Sequence, residues 1–80
     1  MNTIFEQLKR EAAYAQRSFS EELLYQTYGK AQMAQQLEAI TSNEFMEINQ
    51  MTVVHMNTNK EYIRHKNKEF FDIARVASPA

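Results

Sequence analysis

Ile40-Thr41-Ser42-Asn43-Glu44-Phe45 reads as a reversal between two helices. Thr41 or Ser42 can cap the following helix by accepting a backbone amide, and Glu44 and Glu47 face its positive end. Ile40 before the cap and Phe45 after it make a hydrophobic staple that sets the angle at which the chain turns back. Upstream, apolar or small residues recur in steps of three and four at Phe5, Leu8, Ala12, Ala15, Phe19 and Leu23. The stripe resumes at Ala34 and Leu37, with Tyr28 and Ala31 widening it. That period describes one face of an α-helix. Thr3 and Glu6 stand in capping-box spacing at its start. Ser18 with Glu21 repeats that spacing, and Gly29 weakens a helix by about 1 kcal/mol relative to alanine. The stripe nevertheless keeps phase through Phe19 and Leu23, so one long helix is expected over residues 4–39.

Downstream of the corner, Phe45, Ile48, Met51 or Thr52, and His55 continue an apolar phase, giving a second helix over residues 43–56. Asn57-Thr58-Asn59 interrupts it, because these side chains compete for backbone hydrogen bonds. Thr58 and Glu61 again have capping-box spacing. A third helix is expected over residues 59–75, with Ile63, Phe70, Ala74 and Ala77 on one face and Tyr62, Phe71 and Ile73 beside it. Residues 77–80 read as a flexible tail. The expected fold is a single all-α domain over residues 1–76, a long helical hairpin or three-helix bundle. A homodimer completes it, with the alanine-rich seam of the first helix joining two copies.

The totals agree with that class. Glycine and proline together supply 2 of the 80 residues, too few for the turns of a sandwich or barrel. A phosphate-cradling glycine loop is excluded, since Gly29 is the only glycine. The absence of cysteine rules out disulfides, a thiolate nucleophile and zinc–sulfur sites. Leu, Ile, Val and Phe supply 17 of the 80 residues, just above the rough 20% below which chains tend to disorder. A core this small seldom supplies more than about 3–5 kcal/mol, which favours burial against a partner. The N-terminus carries Glu6 and Gln7 where a signal peptide needs an apolar run. The longest uncharged stretch, Ile48 to Asn59, is too short and too polar to span a bilayer core of about 30 Å. A cytoplasmic location with no membrane contact is expected.

The chemistry of catalysis is sparse. Ser18, Ser20, Ser42 and Ser78 are accounted for as caps, helix surface or tail. The carboxylate pairs Glu21–Glu22 and Glu44–Glu47 fit helix-end electrostatics better than an acid/base pair, which needs a cleft to shift one pKa. Glu61, His65 and Glu69 share a helix face at i, i+4, i+8 and read as solvated charge pairs. No enzyme activity, metal or cofactor is expected.

Two surfaces remain. The net charge of −1 is divided, with −3 over residues 1–47 and +2 over residues 48–80. Lys60, Arg64 and Lys68 line one face of the last helix at about 6 Å intervals, a spacing that can contact phosphates. Glu61, Glu69 and Asp72 interrupt that field, which leaves a DNA- or RNA-binding regulator as the alternative reading. The favoured reading is a protein-binding regulator or inhibitor of an unidentified partner. Methionine and tyrosine suit adaptable, half-buried contacts. The interface is expected among Phe5, Leu8, Ala12, Ala15, Phe19, Leu23, Leu24, Tyr25, Tyr28, Met33, Met51 and Met56.

The run Leu37-Glu38-Ala39-Ile40-Thr41-Ser42-Asn43-Glu44-Phe45 resembles the helical-hairpin corner of SHOCT-type short domains, with their Ile-Thr, then Glu-Phe signature, although it lacks the glycine before Ile40. Glu22-Leu23-Leu24-Tyr25 through Tyr28-Gly29-Lys30, followed by that corner, is similar to small uncharacterised helical proteins of Gram-positive phages and mobile elements. The resemblance implies an accessory or regulatory role and assigns no catalytic residue.

Overall fold

Residues 3–77 are described by a computed structural model, with side chains described as far as Phe70. The chain is all-α, and no strand occurs among the described residues. α1 spans Thr3–Arg17 and α2 spans Glu21–Gln36. α3, Ser42–Asn49, passes into a π-helical stretch, Gln50–Val54, and then into α4, His55–Thr58, without leaving right-handed helical backbone. α5 spans Lys60–Ala77.

The helix expected over residues 4–39 is therefore two helices, reversed at Ser18-Phe19-Ser20. The amide of Ser20 donates to the carbonyl of Ala15 at 3.1 Å, and that of Phe19 to Gln16 at 3.1 Å. These are the two bonds of a Schellman terminus. Phe19 holds the left-handed position with φ 51°. Ser20 then caps α2, its hydroxyl accepting from the Leu23 amide at 3.2 Å. The end of α2 repeats the device: Ala39 donates to Ala34 at 2.7 Å and Glu38 to Gln35 at 2.9 Å, with Glu38 at φ 61°. Glycine normally fills that left-handed site, because a side chain there is strained by roughly 1–2 kcal/mol.

The corner forms as its sequence indicates. Thr41 caps α3 in a complete capping box, its hydroxyl accepting from the Glu44 amide at 3.0 Å while its own amide donates to Glu44 Oε1 at 2.8 Å. The π stretch widens the turn, so buried positions follow in steps of four, Ile48, Thr52 and Met56. The buried Thr52 hydroxyl donates back to the Ile48 carbonyl at 2.8 Å. The Met51 carbonyl accepts from Gln16 Nε2 on α1 at 2.7 Å. Asn59 breaks the chain between α4 and α5 with an extended backbone, and its side chain, rather than Thr58, accepts from the Tyr62 amide at 2.9 Å to cap α5.

Two apolar clusters hold these rods together. One joins Phe5, Leu8, Ala31, Ala34, Ile40 and Ile48, with Ala39 and Phe45 packed against it. The other joins Ala15, Leu24, Met56 and Tyr62, flanked by Phe19, Leu23 and Val53. Between them lie small or self-satisfied residues, one per rod: Ala12, Thr27 and Thr52, all buried. Thr27 donates its hydroxyl to the Leu23 carbonyl at 2.8 Å. Exposed ion pairs Lys30–Glu11 at 3.2 Å and Lys9–Glu47 at 3.7 Å tie α1 to α2 and α3; such pairs contribute about 0–1 kcal/mol each.

α5 does not fold back along α1, as the third helix of a three-helix bundle would. It packs on α4 and on the α1–α2 turn and then continues past the body. Principal extents of 56 × 19 × 16 Å and a radius of gyration of 15.3 Å record that projection; a globule of this length has a radius near 12 Å. The helix runs to Ala77, two residues beyond its expected end, and residues 78–80 of the expected tail lie outside the described residues. Among the described side chains of α5, Tyr62 is the one that is buried, whereas Ile63 and Phe70, expected on one apolar face, are exposed.

Candidate functional site

The outward face of α2 and its C-cap carry three exposed apolar side chains in a row, Tyr25, Met33 and Leu37. Its inward face is Leu24, Thr27, Ala31 and Ala34, one residue per turn. The opposite face therefore carries Glu22, Tyr25, Gly29, Met33 and Gln36 in successive turns, with Gln26 and Gln32 beside them. Tyr25, Met33 and Leu37 expose 53%, 56% and 72% of their surface. Gly29 sits midway between Tyr25 and Met33, in ordinary helical backbone, and a β-carbon added there would meet nothing within 4 Å. Neither backbone conformation nor packing within the chain calls for glycine. From Leu23 to Leu37 the only ionised residue is Lys30, which is engaged by Glu11 of α1.

The interface expected from the sequence divides. Phe5, Leu8, Ala12, Ala15, Leu24 and Met56 are buried within one chain, so the seam expected to join two copies is filled by the chain's own helices. This follows from the reversal at Phe19, which folds α2 onto the stripe of α1. Phe19, Leu23, Tyr28 and Met51 are half-buried. Tyr28 packs its ring 5.7 Å from that of Phe45. Tyr25 and Met33 are the two of the twelve that stand exposed, and Met33 does not face the methionines of the second rod. Leu37, read as part of the apolar stripe, and Met46 are also exposed. Gly29 was legible only as a weak point in a helix; its position between two exposed apolar residues emerges once the face is known.

On α5, Lys60, Arg64 and Lys68 are all exposed, and among the described residues none of them takes part in a salt bridge. Lys66 instead pairs with Glu69 at 3.3 Å. Glu61, His65 and Glu69 do not form a metal cluster, and no group of three His, Asp or Glu does so among the described residues. His65 stacks on Phe19 with ring centroids 4.1 Å apart.

Where the α1–α2 turn meets the α4–α5 break, Gln16, Arg17, Phe19, His55, Asn59 and Glu61 line an open hollow of about 340 Å³. Burial pushes the His55 imidazole below its ordinary value of 6.5, with Glu61 pulling weakly the other way. Tyr62 meets His55 edge-on at 5.7 Å. Burial first, then Glu21, Glu69 and Tyr25, raise the Tyr62 phenol above 10.0. For His55 the folded state binds fewer protons than the unfolded state between the two pKa values. Stability is therefore full above the unfolded value, about 6.5, and falls as pH drops through the folded one. Thermal melts from about pH 7.5 to about pH 5.5 should show a declining midpoint, with a shallower decline in His55→Asn. Equal slopes would remove His55 as the cause.

Among the described residues no helix is long and apolar enough to cross a membrane. No family model matches the chain, and neither a curated protein nor a solved structure matches it.

Proposed function

We propose that the chain is a small, non-catalytic protein-binding module that acts as a regulator or inhibitor through contact of a helix face. One observation carries this reading: Tyr25, Met33 and Leu37 are held in the open on the rigid α2 rod, around a glycine that the chain's own packing does not need. Tyrosine and methionine on a fixed helix give large contact area with little further ordering, and glycine between them lets another backbone approach closely.

The test is affinity capture from a lysate of its own cells, with the wild type beside Tyr25→Ala/Met33→Ala. Both positions are exposed, so the double variant should keep its helicity and melting midpoint. A protein held by the wild type and lost by the variant, a second copy of the chain included, is the expected result. Identical capture by both, or capture by neither, overturns the reading.

A second reading, a DNA or RNA contact through Lys60, Arg64 and Lys68, is favoured by one observation: α5 carries these exposed cations on a helix that projects from the body. The acidic residues interleaved with them and the overall charge of −1 weaken the electrostatic attraction on which such binding depends.

A further inference from the structure

We propose that the outer face of α2 is a homodimer interface, in which α2 packs antiparallel against α2 of a second copy with the two-fold axis at Gly29. The inference rests on the protein-binding reading above and identifies the occupant of that face as this chain itself.

The argument begins with placement. Tyr25 lies four residues before Gly29 and Met33 four residues after it, all on the exposed line of α2. A two-fold axis at Gly29 sets residues equidistant from it opposite one another. Tyr25 then meets Met33 of the second copy, and Met33 meets its Tyr25, a sulfur–aromatic contact made twice. Gln26 faces Gln32, whose amides can pair, and Glu22 faces Gln36. The glycines meet at the point of closest approach. An isologous interface requires this pattern, in which residue i contacts j and j contacts i.

Charge selects the same arrangement. A parallel pairing would set Glu21 and Glu22 against their own copies. The antiparallel pairing sends these carboxylates to opposite ends and places them against uncharged residues. Lys30 is withdrawn to the flank by Glu11 at 3.2 Å. With Lys30 the only ionised residue between Leu23 and Leu37, the centre of the face offers little electrostatic steering to a different protein, whereas self-pairing needs none. The area agrees with a modest dimer. α2 has 16 residues; at 1.5 Å per residue and a diameter of 10–12 Å, half its surface is roughly 380–450 Å² per copy. The total, about 750–900 Å², is that of a weak, reversible pair, below the roughly 1,200 Å² at which stable interfaces begin.

Sedimentation equilibrium of the full chain from about 1 to about 500 µM tests this. A monomer–dimer equilibrium within that range is expected. Gly29→Lys should raise the dissociation constant at least about tenfold, by bulk and by repulsion across the axis. Lysine is a better helix former than glycine, so loss of folding cannot produce that result. The chain has no cysteine, so single cysteines report orientation. Gly29→Cys should oxidise to a covalent dimer, since a disulfide needs Cα atoms within about 7 Å. Gln36→Cys should not, because the antiparallel model separates the two copies of that position by about 21 Å. A monomer throughout the range, a dimer indifferent to Gly29→Lys, or cross-linking at position 36 instead of 29 overturns the proposal. A monomer whose capture of a different protein is abolished by Gly29→Lys overturns self-pairing alone. A monomer with no capture that depends on this face removes the protein-binding reading as well.

Discussion

Ile48→Ala is expected to lower the stability of the fold by about 2–5 kcal/mol. Ile48 is fully buried and belongs to the cluster that gathers Phe5 and Leu8 of α1, Ala31 and Ala34 of α2 and Ile40 of the corner. Three rods meet on one side chain, so truncation leaves a void that no single rod can close by shifting. The loss is large in proportion, because a core of this size supplies only about 3–5 kcal/mol. At about 4–8 °C per kcal/mol for a domain of 60–100 residues, the midpoint should fall by at least about 8 °C, or the cooperative transition should vanish. Met46→Ala, on the same helix but exposed, should stay within about 0.5 kcal/mol. Denaturation followed by circular dichroism measures both. A loss at Ile48 no greater than that at Met46 would mean that this cluster does not hold the three rods together.

The corner at residues 40–45 and the inward face of α1 could be read from the sequence because each depends on local chemistry. A threonine and a glutamate three residues apart suffice for a capping box, and Phe5, Leu8, Ala12 and Ala15 follow the helical period. The reversal at Phe19 could not be read in the same way. Its left-handed position carries phenylalanine instead of glycine, so the usual stop signal is missing, and the steps to Phe19 and Leu23 imitate a continuing stripe. Contacts distant in sequence support Phe19 there: its ring stacks on His65 and Tyr62 of α5. Nor does composition reveal the π stretch, which puts burial on Thr52 of the two alternatives Met51 and Thr52 and moves the next buried position from His55 to Met56. The candidate site was half legible. Tyr25 and Met33 were named for their side-chain chemistry, but their exposure depends on which face of α2 the reversal turns inward. Gly29 acquires meaning only after that face is fixed.

Tyr62→Ala is expected to remove about 3–5 kcal/mol from the attachment of α5 to the body, the range for deleting a buried aromatic ring. Tyr62 is 4% exposed and forms a cluster with Ala15, Leu24 and Met56 of the three other rods. Its ring lies 6.2 Å from Phe19 and 5.7 Å from His55. Among the described side chains of α5, Ile63 and Phe70 are exposed, and His65 stacks on Phe19 of the body. The loss should therefore be concentrated in one element, as local rather than global opening. Amide exchange should accelerate across residues 60–70, while Leu24 and Ile48 keep their protection. Tyr62→Phe should behave differently. The Tyr62 hydroxyl is buried without a hydrogen-bond partner among the described residues, so removing it relieves desolvation and leaves stability unchanged or higher. If Tyr62→Ala leaves exchange in α5 unchanged, the helix is held by something other than this ring. If both variants behave alike, the hydroxyl and not the ring carries the attachment. The expected contrast makes Tyr62 and the strained Phe19 the latch that fixes the direction of α5, and hence where Lys60, Arg64 and Lys68 stand relative to the α2 face.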